Sequence, residues 1–308
     1  MKCSLKLDFM EKLLYTGGTG FLGYNTKPIL DQKYEVTTIG ITNRDDLKAN
    51  FAREVPVLPC HYDIVLHAAG KAHVYPKTSE EVQSFYDINY QGTVNLCTAL
   101  EKVGTPKAFV FISTSGVYGI DNGNYVTEDY PLTGEEPYQK SKIMAEEFLT
   151  KWCKEHGVIL GILRPSLMAG KKAPGNLGAM VDGIRTGKYL SINHGKARKS
   201  LLMAEDIAHL VPLVAKKGGT YNVCDDEHPS FGQLEELIAK QLGKNNPRSI
   251  PYWLAKSIAL FGDVVGSWFP LNSKRLDKIV NSDTLSNEKA KRELGWQPMS
   301  VLENFKIN

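Results

Sequence analysis

Residues 16–23 of the 308-residue chain read TGGTGFLG, directly after the short apolar run Lys12–Thr16 and before a segment with helical periodicity. Glycines spaced three apart suit a tight strand-to-helix turn, backbone approach to a pyrophosphate, and close packing of the helix on the strand. The N–H groups and positive dipole end of such a helix favour phosphate. The motif predicts a dinucleotide-binding turn, and a plain tight turn is the alternative. The candidate contacts are Gly17, Gly20, Phe21, Leu22 and Gly23.

The second predicted strand bears on which dinucleotide is bound. Many sites place a carboxylate at the end of this strand, on the ribose 2′-OH. Here the strand Glu35–Ile39 has no carboxylate at its end, and Arg44 follows it. Arg44 is suited to a 2′-phosphate, although a solvated loop charge is the alternative. The expected cofactor is NADP or NAD, with Arg44 favouring NADP.

The first half of the chain alternates short apolar runs with longer periodic segments, which is typical of a parallel sheet with crossover helices. The candidate strands are Lys12–Thr16, Glu35–Ile39, Ile64–Ala68, Ala108–Ser113 and Val158–Arg164. Predicted helices begin with a capping box at residues 78–81 and at Glu136. They end near Gly104 and Gly157, respectively.

After Pro165 the pattern changes. Residues 169–200 are rich in glycine and basic residues and read as a loop-rich segment. A helix from Ala204, a strand at 220–223 and a helix at 231–242 follow. The expected fold is α/β: a doubly wound parallel Rossmann sheet with a smaller mixed C-terminal substrate lobe. The expected domains are residues 1–168 for NAD(P) binding and residues 169–308 for substrate.

Composition excludes several classes of protein. With 37 Lys+Arg against 34 Asp+Glu, the net charge of +3 is too small to indicate nucleic-acid binding. No apolar run approaches the ~20 residues that span a bilayer, and the N-terminus lacks a signal-peptide core. The five cysteines lie far apart, without zinc-ligand spacing. We expect a cytoplasmic protein with no metal site and no membrane or nucleic-acid partner.

Two side chains on one predicted helix suggest acid–base chemistry. Tyr138 and Lys142 are at positions i and i+4, so both project from one face. An ammonium near a phenol lowers its pKa and makes the pair a plausible proton shuttle. Alone, this spacing is common by chance. However, the strand at 108–113 ends in three hydroxyls, Ser113, Thr114 and Ser115, at the sheet edge where ligands of parallel α/β sheets bind.

Together, these segments resemble the extended short-chain dehydrogenase/reductase family of NAD(P)-dependent epimerases and dehydratases, over roughly residues 12 to 300. The matching segments are TGGTGFLG at 16–23, HAAG at 67–70, Asn89 within NYQGTVNL, STSGVYG at 113–119, PYQKSK at 137–142 and Arg164-Pro165. The resemblance implies Thr114, Tyr138 and Lys142 as catalytic residues. It adds Arg44, Ala68, Ala69, Gly70, Asn89, Ser113, Tyr138, Lys142 and Pro165 to the cofactor contacts. His67 reads as a core histidine.

The C-terminal segment most resembles bacterial nucleotide-sugar 4-epimerases and 4-ketoreductases of polysaccharide synthesis. The implied substrate is a nucleotide sugar, with UDP as the expected nucleotide, and a homodimer is an expectation. The implied substrate contacts are Lys71, His73, Ser115, Asn176, Leu177, Arg198 and Lys199. The alternatives are a reductase of a non-nucleotide ketone or alcohol, such as a steroid or flavonoid, and a non-catalytic NADP-binding redox sensor.

Overall fold

The computed structural model describes residues 10–72, 74–266 and 271–307. Its strands, in chain order, are β1 (Lys12–Thr16), β2 (Glu35–Gly40), β3 (Leu47–Lys48), β4 (Ile64–His67), β5 (Ala108–Ile112), β6 (Gly123–Val126), β7 (Ile159–Pro165), β8 (Leu167–Ala169), β9 (Ser191–Ile192), β10 (Leu201–Met203), β11 (Gly219–Val223), β12 (Ser249–Ile250) and β13 (Asp283–Leu285).

The α-helices, in chain order, are α1 (Phe21–Leu30), α2 (Ser79–Phe85), α3 (Gly92–Val103), α4 (Pro137–His156), α5 (Gly175–Arg185), α6 (Asp206–Lys217), α7 (Phe231–Gln241), α8 (Tyr252–Val265), α9 (Ser273–Val280), α10 (Glu288–Leu294) and α11 (Val301–Asn304). A π-helical segment, Tyr86–Gln91, joins α2 to α3.

Seven strands form one parallel sheet in the order β11-β7-β5-β4-β1-β2-β3. Helices cover both faces, because successive side chains of each strand point to opposite sides. Leu13 and Tyr15 of β1 pack on the face covered by α1 and α6, whereas Leu14 packs on the face covered by α3 and α4. The strand order reverses between β1 and β4, which is where open α/β sheets bind ligands. The doubly wound Rossmann prediction is confirmed.

The two predicted helices begin and end close to the expected residues. Thr78 caps α2 by accepting a hydrogen bond from the Glu81 N–H at 3.2 Å. The reciprocal half of that capping box is absent, since the Glu81 carboxylate accepts from Lys77 N–H at 2.6 Å. Helix α4 ends at Gly157, whose φ of +66° is the left-handed conformation that glycine favours. The π-helical segment was not predicted.

The loop-rich interpretation of residues 169–200 is wrong over part of its length. Helix α5 forms there, and its apolar residues Leu177, Met180, Val181 and Ile184 are buried in the core of the C-terminal part. Their i, i+3, i+4, i+7 spacing is helical, but the flanking glycines obscured it. The lobe division at residue 168 stays a prediction; beyond that residue, α6 and β11 return to the central sheet.

Candidate active site

The glycine turn closes against the strand switch point. Gly17 has φ +72°, and a Cβ there would lie 2.9 Å from the backbone nitrogen of Ala69, at the end of β4. A Cβ on Gly23 would lie 1.9 Å from the carbonyl oxygen of Gly18, whereas one on Gly20 would meet only the Gly17 oxygen, at 3.3 Å. Helix α1 has no acidic residue in its first turn and no side-chain cap at Gly20. These residues fit a dinucleotide pyrophosphate, because the helix N-terminus is left open to an anion.

A chain of hydrogen bonds links the turn to the π-helical segment. Ala69 N–H donates to the Thr16 hydroxyl at 3.0 Å, and Thr16 lies 2.7 Å from His67 Nδ1. On the other side, His67 Nε2 lies 2.9 Å from the Thr93 hydroxyl, which donates to the Asn89 carbonyl at 2.7 Å. Because the Thr93 hydroxyl donates its hydrogen to the Asn89 carbonyl, it can only accept from His67. His67 therefore carries its proton on Nε2 and accepts from the Thr16 hydroxyl at Nδ1. Burial lowers the pKa of His67 to about 3, so the ring is a neutral core residue.

Asn89 holds the loop after β4 against the catalytic helix. Its side-chain oxygen accepts from Lys71 N–H at 2.7 Å, and its amide donates to the Lys71 carbonyl at 3.1 Å. The same amide donates to the Ser141 hydroxyl at 2.9 Å, which in turn donates to the Tyr138 carbonyl at 2.8 Å. A Cβ on Gly70 would lie 3.0 Å from the Asn89 oxygen and 3.4 Å from Lys142 Nζ. Asn89 therefore joins the loop after β4 to α4, and the π-helical turn supplies its position.

The three predicted catalytic residues converge at the ends of β5 and α4. Thr114 hydrogen-bonds the Tyr138 hydroxyl, which favours the phenolate, but burial is the larger effect and raises the pKa of Tyr138. Lys142 Nζ donates to the Ile112 carbonyl at 2.8 Å and lies 4.5 Å from the centre of the Phe111 ring. The expectation was that Lys142 lowers the pKa of Tyr138. Instead, the pKa lies above its ordinary value, because burial outweighs the opposing effect of the Thr114 hydrogen bond. Tyr138 is therefore a phenol at neutral pH.

Below the site lies a buried ion pair that sequence reasoning missed. Arg164 of β7 donates to both oxygens of Glu146, at 2.6 and 3.2 Å, and to the Tyr118 hydroxyl at 3.0 Å. Ser113 also donates to Glu146. Glu146 follows Lys142 by four residues on the same helix face, which is the signal that could have identified it. This pair ties α4 to β7 one helical turn after Lys142.

The loop after β2 places a carboxylate, that of Asp45, against the end of the strand, where the sequence predicted none. Asp45 accepts hydrogen bonds from Thr42 N–H at 3.0 Å, from the Thr42 hydroxyl at 2.7 Å and from the Thr19 hydroxyl at 3.3 Å. It lies against Gly40, the last residue of β2. All three bonds go to Oδ2, and the buried Oδ1 has no hydrogen-bond partner among the described residues. Exposed Arg44 donates to the Thr19 carbonyl at 3.1 Å and so reaches the glycine turn. Asp45 was not predicted, because it is the fifth residue after the end of β2 and not at the strand end itself.

The two predicted cations of the C-terminal part point in different directions. Arg198 donates to the His228 carbonyl at 3.0 Å and lines a cavity of about 430 Å³ with Tyr125. Lys199 is more buried, and burial lowers its pKa below the ordinary value. The carboxylates of Asp283 and Asp121 oppose this shift but are the smaller effect. Arg198 shares its cavity with Asp226 and Glu227, so both cations lie near carboxylates.

The other predicted contacts are divided between surface and core. Asn176 is exposed in the first turn of α5, and Leu177 is buried in the core, so only its backbone is available to a ligand. Ser115 is half-buried at the start of a single 3₁₀ turn after β5. Pro165 ends β7. His73 lies outside the described residues.

The profile of a known protein family covers most of the chain. The profile of the NAD dependent epimerase/dehydratase family matches residues 13–224, more than half of the chain. The match begins in β1 and ends just after β11, so it spans the glycine turn, the catalytic helix and all seven strands of the central sheet.

Two curated relatives are sugar 4-epimerases. N-acetyl-alpha-D-glucosaminyl-diphospho-ditrans,octacis-undecaprenol 4-epimerase of Escherichia coli O157:H7 is 27% identical over 293 residues, covering 87% of this chain and 85% of the relative. UDP-glucose 4-epimerase of Vibrio cholerae is 27% identical over 331 residues, covering 99% and 96%. Both relatives align over most of their length.

Solved structures share the fold. UDP-glucose 4-epimerase from Thermotoga maritima, solved with UDP-glucose, has a TM-score of 0.74 at 21% identity and covers 96% of each chain. RMD from Pseudomonas aeruginosa, solved with NADPH, has a TM-score of 0.72 at 20% identity and covers 96% of each chain. At these sequence identities the similarity establishes the fold alone.

Proposed function

Because this chain belongs to the NAD-dependent epimerase/dehydratase family, a family of nicotinamide-dependent enzymes, we propose that it acts at C4 of a nucleotide-activated sugar, with UDP as the nucleotide. The observation that carries the proposal is the convergence of Thr114, Tyr138 and Lys142 beside an anion-binding glycine turn. The two curated relatives, whose names specify 4-epimerisation of a sugar, support the reacting carbon.

In the proposed reaction, different groups transfer the hydride, transfer the proton and orient the substrate. A bound nicotinamide would supply or accept the hydride at C4. Tyr138, protonated at neutral pH because burial raises its pKa, donates a proton to the C4 oxygen and takes one back in the reverse direction. Thr114 orients the same oxygen through its hydroxyl. Lys142, anchored on the Ile112 carbonyl, holds the ribose and supplies positive charge as the phenolate develops.

Arg44 supports NADP as the preferred cofactor. The guanidinium already lies over the glycine turn through Thr19, and a bidentate pair with a 2′-phosphate is a contact that arginine makes well. Asp45, the nearby carboxylate, accepts from Thr19 and Thr42 through Oδ2 alone, and its Oδ1 has no partner among the described residues. A 4-ketoreductase must release its oxidised cofactor after each turnover, whereas a 4-epimerase keeps its cofactor bound. A preference for NADP therefore favours the 4-ketoreductase. In an Arg44→Ala variant we expect NADPH affinity to fall about tenfold and NADH affinity to stay unchanged.

Lys199 supports a diphosphate in the substrate. Burial lowers the pKa of Lys199 more than the carboxylates of Asp283 and Asp121 raise it, so its ammonium is incompletely compensated and a diphosphate would be a favourable partner. Lys196 is the matched control, because it is exposed and does not line the cavity at Arg198. We expect Lys199→Gln to weaken UDP binding in calorimetry by about tenfold and Lys196→Gln to leave it unchanged. A wild-type protein that binds no UDP would remove the nucleotide-sugar proposal and favour a non-nucleotide ketone or alcohol.

The decisive test is turnover by Tyr138→Phe on UDP-sugars. Loss of the hydroxyl removes the proton donor, so we expect kcat to fall by about 10²–10⁴-fold while NADPH still binds. Tyr125→Phe is the control, since Tyr125 is exposed and contacts His228 through its ring. Wild-type turnover by Tyr138→Phe would contradict the proposal. A chain that binds NADPH and turns over no sugar would support the redox-sensor alternative.

A further inference from the structure

Helix α8 exposes a stripe of large apolar side chains. Trp253 is 67% exposed, Leu260 is 53% exposed and Val264 is 86% exposed. They lie seven and four residues apart, so they share one face of the helix. An exposed apolar row of this kind marks an interaction site more often than chance, particularly when tryptophan is part of it.

The helix is held in place from its other face. Ala255 and Ala259 are fully buried against Leu276 of α9, and Gly262 is buried in the next turn. Small residues on this face allow close packing, so α8 is fixed on the protein and presents the stripe outward. The stripe is therefore a feature of the folded surface.

The surface around the stripe carries more cations than anions. Residues 237–265 contain Lys240, Lys244, Arg248 and Lys256 against one acidic residue, Asp263, which lies on α8 between Leu260 and Val264 and accepts hydrogen bonds from Ser273. Residues 183–204 add exposed Lys188 and Lys196, whereas Arg185 pairs with Asp182, and Arg198 and Lys199 belong to the candidate substrate contacts. Pairing of β9 with β12 places these two stretches side by side. Lys256 itself is exposed on α8.

Against the expectation of no membrane partner, we propose that α8 docks this protein on an anionic membrane surface. Within the described residues, no helix is long and apolar enough to cross a membrane, and the 14 residues of α8 extend only about 21 Å. An apolar face with tryptophan beside a cluster of cations is the pattern of a helix that lies in the plane of the interface. A second copy of this chain is disfavoured as the occupant, because a symmetric contact would bring the same cations together.

Docking in this way places the candidate active site close to the lipid. Helix α9, which packs on α8, forms an ion pair between Lys274 and Glu136, the residue that precedes α4. Arg275 of α9 lies 5.2 Å from the ring of Tyr75, in the loop that follows β4. The cleft is therefore one helix away from the docked face. The proposal is independent of the substrate.

The test is co-sedimentation of the full chain with vesicles. We expect binding to vesicles of phosphatidylglycerol in phosphatidylcholine, little binding to phosphatidylcholine alone, and weakening by salt. The triple variant Trp253→Ser, Leu260→Gln, Val264→Gln should bind at least about tenfold less. Lys256→Gln should bind about fivefold less at low salt. Val57→Gln is the matched control, since Val57 is 90% exposed and lies in the loop before β4.

Thermal unfolding and NADPH binding of the triple variant establish that it is folded. Equal sedimentation of the folded triple variant and the wild type would overturn the proposal, as would a wild type that stays in the supernatant with anionic vesicles. Light scattering tests the other occupant. A wild-type dimer that the triple variant converts to a monomer would show that a second copy covers α8.

Discussion

Lys142 Nζ donates a hydrogen bond to the carbonyl oxygen of Ile112 at 2.8 Å, in a position 4% exposed to solvent. The bond fixes the ammonium at the end of β5, beside Gly70 and below the cleft. Burial disfavours the charged form and lowers the pKa of Lys142 to about 8, although the Glu146 carboxylate partly opposes this. The lysine that the proposed chemistry requires as a cation therefore titrates close to neutral pH.

The first prediction concerns the pH dependence of turnover. Below pH 8 Lys142 is protonated, and above it the positive charge is lost, so we expect kcat to decline through a basic limb near pH 8. Lys142→Arg keeps its charge throughout this range and should lower kcat while removing that limb. The measurement is a pH–rate profile of both proteins. Identical basic limbs in the two profiles would show that another group is responsible.

The second prediction separates two glycines of the same turn. In Gly23→Ala the new Cβ would meet the Gly18 carbonyl at 1.9 Å, so the turn must open, and we expect destabilisation by about 1–3 kcal/mol or more. In Gly20→Ala the nearest atom is 3.3 Å away, so the fold should survive while the methyl group obstructs the pyrophosphate. Urea unfolding and calorimetry with NADPH measure the two effects. Undiminished NADPH binding by Gly20→Ala would show that the pyrophosphate lies elsewhere.

The sequence predicted the sheet well because its information is local. The glycine turn and the apolar runs each fix one strand or one crossover helix, and the strand ends then meet at one edge. What it did not predict depends on contacts between distant residues. Asn89 is positioned by a π-helical segment that no periodicity indicates, and the Glu146–Arg164 pair joins elements 18 residues apart. Likewise, Arg198 and Lys199 are adjacent in sequence, but their surroundings separate them.

The third prediction concerns the buried ion pair under the site. Arg164→Met leaves the Glu146 carboxylate without its main partner in a position 3% exposed, and we expect a loss of about 3–5 kcal/mol in the free energy of unfolding. The double variant Arg164→Met, Glu146→Leu removes the isolated charge and should recover much of that loss. Urea unfolding of the wild type, both single variants and the double variant forms a complete cycle. Additive losses in the double variant would contradict a coupled pair.

The last prediction concerns stability in acid and the contribution of His67 to it. Its pKa is lowered from 6.5 to about 3, so the unfolded chain binds a proton below pH 6.5 that the folded chain refuses. The stability that neutral His67 contributes is complete above pH 6.5 and falls as the pH drops toward 3, by up to about 1.4 kcal/mol per pH unit. Asp206 opposes this trend, because burial raises its pKa to about 7 and the folded chain takes up that proton. Comparing the wild type with His67→Gln cancels the Asp206 contribution. The free energy of unfolding of His67→Gln should therefore decline less steeply between pH 6 and 4 than that of the wild type, and parallel curves would mean that His67 is protonated in the folded chain.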